Sequence, residues 1–111
     1  MKAQPIVVLI TAPSKEVGKQ IAASLLDQRL AACVNIVSPI SSIFTWQGKI
    51  TDEEEALLIV KSRADLFESQ LIPAVLAIHP YQVPEIIALP VIMGLSSYLN
   101  WIEEVTDPSS G

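Results

Sequence analysis

Apolar and polar positions change period several times along the chain, and each change marks an element. Val7 to Thr11, inside the run that begins at Ile6, is β-branched and uninterrupted, and Pro5 and Pro13 bound it. This predicts a short strand covered on both faces. Beyond Pro13 the period lengthens: Val17, Ile21 and Leu25 recur every four residues, with Ala22 and Leu26 beside them. Ser14 as a cap and Glu16 at the positive end complete a first helix expected to run to about Arg29. Ala31 to Val37 reads as a buried strand, Pro39 interrupts it at a bulge or an edge, and Ser42 to Trp46 is extended again. Gln47-Gly48-Lys49 makes the turn, and Ile50 to Lys61 returns through the acids Asp52 to Glu55 into the apolar run Ala56 to Val60. A long β-hairpin follows from that pairing.

Asp65 with Glu68 gives a capping-box pattern for a second helix, with Phe67, Leu71, Val75 and Ile78 as its apolar stripe. Pro73 lies inside it and costs about 3 kcal/mol in a regular helix, so a bend is expected near Leu71 or Ile72. Pro80, Pro84 and Pro90 frame a short strand over Glu85 to Leu89. A third helix is expected after Gly94, capped by Ser96 or Ser97, with Tyr98, Trp101, Ile102 and Val105 facing inward. The order is strand, helix, strand, strand, helix, strand, plus a terminal helix. That order predicts an α+β, ferredoxin-like split βαβ sandwich with a long hairpin and an extra C-terminal helix. Residues 1–106 form the one domain and 107–111 a flexible tail of Pro, Ser and Gly.

In such a fold the helices cover one face of the sheet. The runs Ile6 to Ile10, Ala56 to Val60 and Ile86 to Leu89 are apolar at consecutive positions, so the helix-free face is apolar too. Burying a few hundred Å² of it at about 25 cal/mol per Å² is worth several kcal/mol. Sheet-to-sheet burial in a homo-oligomer is therefore expected.

Composition sharpens that expectation. The chain has 111 residues, 50% apolar and 17% charged, with a net charge of −5. Its pI is near 4.6 and its mean hydropathy is +0.45, high for a chain with so little interior. No apolar run approaches the roughly 18 residues of a membrane span, and Met1 to Pro5 does not resemble a secretory signal, so the cytoplasm is the expected location. Twelve acidic against seven basic residues disfavour nucleic acid and anionic membranes. Cys33, the only cysteine, cannot form an internal disulfide.

Four stretches coincide with one family: Thr11-Ala12-Pro13, Arg29-Leu30-Ala31-Ala32-Cys33-Val34-Asn35, Trp46-Gln47-Gly48-Lys49-Ile50, and His79-Pro80-Tyr81-Gln82-Val83-Pro84-Glu85-Ile86. Over about residues 5 to 103 the chain resembles the CutA divalent-cation tolerance proteins. The resemblance implies a ferredoxin-like subunit, a homotrimer whose sheets meet between subunits, and a role in tolerance of divalent metals, copper above all. It establishes no reaction. Relatives proposed to bind copper carry a cysteine near the end of the first strand and a second histidine before the last block. Here those places are Ile10 and Ile78.

His79 is the only histidine, and copper(II) favours imidazole with carboxylate or water, which Glu85 can supply from the neighbouring strand. Two ligands make a weak site at most, and no required cofactor is implied. The alternative is structural, with His79 ending the second helix and its ring N–H capping a carbonyl. Trp46, Tyr81 and Lys61, with Glu85, can line an intersubunit cleft for a small anion or zwitterion, or can simply pack, Lys61 pairing with Glu85 across subunits. Cys33 among small residues reads as an inert thiol, and Asp52 to Glu55 as a solvated hairpin. No nucleophile with a base in reach stands out, so the expected activity is non-enzymatic. Three roles remain open: a CutA-like trimer in metal tolerance, a trimeric small-ligand sensor resembling PII-type signalling proteins, and a partner-binding scaffold.

Overall fold

The structure, a computed structural model, describes residues 3–110. Strands β1 (Pro5–Ala12), β2 (Cys33–Trp46), β3 (Lys49–Arg63) and β4 (Ile86–Pro90) form one antiparallel sheet in the order β2-β3-β1-β4. Helix α1 (Lys15–Asp27) follows β1. Three helical pieces, Ala64–Leu66, Phe67–Leu71 and Ile72–Leu76, run end to end as α2 between β3 and β4. Helix α3 (Ser96–Val105) and a short 3-10 turn (Pro108–Ser110) complete the chain. That turn occupies the expected tail, whose last residue, Gly111, lies outside the described residues, as does the start at Met1.

Strand alternation decides what each face meets. Ile6, Val8, Ile10 and Ala12 of β1 and Ala56, Leu58 and Val60 of β3 are buried in one cluster with Ile21 and Leu25 of α1 and Leu66, Leu71 and Val75 of α2. This is the core. Ser14 caps α1 by accepting from the Val17 N–H at 3.2 Å. The helix stops two residues before Arg29, which takes a left-handed φ of 57°. Leu30 N–H then bonds Leu25 O at 2.8 Å and Arg29 N–H bonds Leu26 O at 3.1 Å, the Schellman arrangement that satisfies the last carbonyls.

Pro73 disturbs α2 as a widened turn rather than a break. Ile72 N–H reaches back five residues to Phe67 O, so the π-helical turn Phe67–Leu71 ends where the bend was expected. The capping box does not form. Asp65 lies inside the first turn and meets Arg63 Nε at 3.6 Å instead. Ile78 is exposed beyond the helix end, so the buried stripe stops at Val75. Neither Ser96 nor Ser97 caps α3, because the helix already begins at Ser96. Of its four expected inward residues only Ile102 is buried; Tyr98 and Trp101 are exposed.

The other face of the sheet carries three cross-strand rows: Cys33, Lys61, Val7 and Leu89; Asn35, Ile59, Leu9 and Ile87; Val37, Leu57 and Thr11. It is not wholly free of helix. Arg63, on the same side as Ile59 and Lys61, donates from Nη2 to Thr106 O at 3.4 Å, and Arg29 Nη1 reaches Val105 O at 3.4 Å. Helix α3 therefore covers one end of this face, which the sequence reading left bare. Apolar surface remains beyond it, with Ile87 50%, Leu89 49% and Val37 46% exposed.

Past Ala56, β3 loses β1 and pairs with β2 alone. The register shifts between Val37 and Ile40, at the Pro39 interruption on this edge strand. From Ile40 to Glu55 the hairpin is a free two-stranded arm, closed by Gln47 and Gly48 with φ of 53° and 78°, as a two-residue I′ turn requires. The arm makes the molecule long, 46 × 27 × 23 Å with a radius of gyration of 14.6 Å, against about 13.2 Å for a compact chain of this length. Among the described residues no helix is long and apolar enough to cross a membrane.

Candidate functional site

Helix α2 ends at Leu76, and the backbone N–H of His79 still bonds Val75 O at 2.9 Å, which carries the imidazole under the end of β1. His79 is 8% exposed. Its Nε2 lies 2.7 Å from Thr11 O, and its Nδ1 lies 3.1 Å from the backbone N of Tyr81. A carbonyl can only accept and a backbone N–H can only donate. Nε2 therefore carries the proton, Nδ1 accepts, and the ring is fixed as one neutral tautomer. The capped carbonyl belongs to β1, not to the helix end. A metal ion at His79 would have to displace one of these two bonds.

Tyr81 continues the network. Its ring lies 4.8 Å from the His79 ring, centroid to centroid, at 54°, and its hydroxyl donates to Glu55 Oε2 at 2.7 Å. Burial, then the hydrogen bond and negative charge of Glu55, push the phenol well above its ordinary pKa. Glu55 is 7% exposed, which corrects the reading of Asp52 to Glu55 as a solvated stretch. Only Asp52, Glu53 and Glu54 are exposed.

A cleft of about 680 Å³ opens between the arm and the segment 80–85. Phe44, Trp46, Glu53 and Glu55 come from the arm, Tyr81 and Glu85 from the segment. Glu53 and Glu55 share a side because they are two apart on a strand, and the register sets Ser42 opposite Glu53 and Phe44 opposite Thr51. Glu85 precedes β4, which starts at Ile86, and so belongs to the cleft rather than the ladder. The structure thus brings Trp46, Tyr81 and Glu85 together. Phe44, Glu53 and Glu55 were missed, although the two-residue spacing of the glutamates was legible.

Lys61 is elsewhere. It stands six residues along β3 from Glu55, about 20 Å at strand rise, and its ammonium donates to Asn35 Oδ1. Within one chain Lys61 does not line this cleft. Cys33, paired with Lys61 on the second face, is a free, half-buried thiol. Among the described residues no three of His, Cys, Asp and Glu stand close enough to hold a metal ion.

Comparison with known proteins completes the picture. The family model of the CutA1 divalent ion tolerance protein matches residues 6–105. The divalent-cation tolerance protein CutA of Thermus thermophilus is 51% identical over 100 residues, 90% of this chain and 96% of that protein. The chloroplastic CutA of Arabidopsis thaliana is 48% identical over 91% of this chain, which spans 55% of that longer protein. The crystal structure of CutA1 from Oryza sativa superposes with a TM-score of 0.91 at 45% identity, covering 96% of this chain and 97% of that one.

Proposed function

The chain belongs to the CutA1 divalent ion tolerance family, and from that premise we propose that it serves divalent-cation tolerance as a non-enzymatic, ferredoxin-like homotrimer packed through the second face of its sheet. The observation that carries this reading is the uncovered apolar surface of that face and of the arm. The chain exposes 6798 Å², whereas a compact monomer of its mass exposes about 6,000 Å². The excess of about 800 Å² equals what one partner contributes to an ordinary stable interface. A lone two-stranded arm is marginal in water, and this one exposes Ile43, Phe44, Trp46 and Ile50. Neighbouring copies supply the missing cover.

Copper contact through His79 and Glu85 is weak in this reading, because the imidazole gives up its Tyr81 N–H bond to offer a lone pair. The non-enzymatic assignment is supported by the separation of Cys33, on the second face beside Lys61, from His79 beneath Thr11. A cytoplasmic location accords with the lone free thiol. The size of the cleft favours a second reading alongside the first, a metabolite sensor with its ligand held beside the arm.

Sedimentation velocity of metal-free protein, with copper counted per subunit after dialysis, tests both parts. A single three-subunit species with sub-stoichiometric copper is expected. A monomer overturns the assembly, and one tightly held copper per subunit that vanishes in His79→Ala overturns the account of the histidine.

A further inference from the structure

Helix α3 is poorly equipped to stand alone. It has 10 residues, fewer than the about 12–15 below which an isolated helix is marginal in water. Its first turn has no side-chain cap, its last turn holds Glu103 and Glu104, and it carries no basic residue to meet the negative end of its dipole. Ile102 is its one buried residue, and the main core cluster includes nothing from it. What the helix lacks, the rest of the chain supplies. Arg29 Nη1, just past the end of α1, donates to Val105 O at 3.4 Å, and Arg63 Nη2, at the end of β3, donates to Thr106 O at 3.4 Å. Asp65 Oδ1 steadies Arg63 from the other side, 3.6 Å from its Nε. Ala3 N–H adds a bond to Glu103 Oε1 at 3.2 Å. Hydrogen bonds from Ser109, and then the charges of Arg63 and Arg29, hold the Asp107 carboxyl below its ordinary range, so both cations are felt just beyond the helix end.

Arg29 also breaks a local rule. It takes the left-handed position that ends α1, with φ of 57°, where glycine is the usual residue. Glycine would end α1 without strain and would offer α3 nothing. Tyr98 shows what the helix covers, since burial and then the Cys33 charge raise its phenol. We propose that α3 is a latch, a helix that folds only while docked, and that Arg29 and Arg63 are the positioning residues that hold it over the end of the second face where Cys33 pairs with Lys61. Because α3 takes no part in the main core, it opens as a local unit and bares that end while the sheet stays folded.

Hydrogen exchange read by mass spectrometry on the assembled full chain, with maleimide labelling of Cys33 in parallel, tests the latch. In Arg29→Gln, exchange over residues 99–106 should be about fivefold faster, with β1 and α1 unchanged and Cys33 labelled faster in step. Arg29→Lys keeps the charge and should restore most of the protection. Unchanged exchange of α3 in Arg29→Gln, or no recovery in Arg29→Lys, overturns the clamp. Equal acceleration in β1 and α1 overturns the latch in favour of a general loss of stability. Faster exchange of α3 with unchanged labelling of Cys33 overturns its role as the cover and assigns that role to a neighbouring copy.

Discussion

His79 donates from Nε2 to the carbonyl of Thr11 at 2.7 Å, tying the turn after α2 to the end of the central strand β1. The same ring accepts the Tyr81 N–H, so one side chain sets where the aromatic wall of the cleft begins. Removing it leaves a part-buried strand carbonyl and a part-buried backbone N–H without this partner. His79→Ala is therefore expected to lower unfolding free energy by about 1–3 kcal/mol in urea. Nitrogen NMR of the native protein should show Nδ1 unprotonated and Nε2 protonated at neutral pH.

The Tyr81 phenol gives an alkaline signature. Its folded pKa is raised above the unfolded value, so its contribution to stability is complete below about pH 10. Above that the unfolded chain ionises first, and stability falls as pH climbs toward the higher folded value. Thermal unfolding from pH 8 to pH 11 should show a decline that begins near pH 10 and is shallower in Tyr81→Phe. Tyr98, raised in the same direction by burial and by the Cys33 charge, leaves a residual slope. An absorbance titration at 295 nm should find little phenolate at pH 10 in the native protein.

Gly48 isolates backbone strain from packing. Its φ is 78°, and an added Cβ would meet nothing within 4 Å. Gly48→Ala should cost about 1 kcal/mol through conformation alone, read as a lower denaturation midpoint with an unchanged slope.

Val8 and Ile59 separate the two faces of the sheet. Val8 is fully buried in the core, and Ile59 lies in the middle row of the opposite face. Val8→Asp should lose the fold, since an unpaired charge there costs about 4 kcal/mol or more. Ile59→Asp should lose the assembly, seen as a fall in mass by light scattering. A normal oligomer from Ile59→Asp contradicts the packing proposed for that face.

Much of this was legible because periodicity and turn chemistry are local. The strand runs, the Ser14 cap, the Gln47-Gly48 turn, the Pro39 interruption and the disturbance before Pro73 all lie within a few residues of their cause. What escaped depends on register. Four consecutive acids look equally solvated until pairing sets Glu55 opposite Ile40 and under Tyr81. Within one chain the length of the hairpin separates Lys61 from the cleft that Trp46 and Tyr81 line. The cover that α3 gives the second face came from bonds by Arg29 and Arg63 to carbonyls at 105 and 106, for which no pattern in the chain gives a signal.

Light scattering on metal-free protein across a dilution series tests the central claim most directly. The account predicts a mass near 36 kDa, three times the 12.0 kDa of the chain, held on dilution. A mass of one chain, with the hairpin arm still folded, would contradict it.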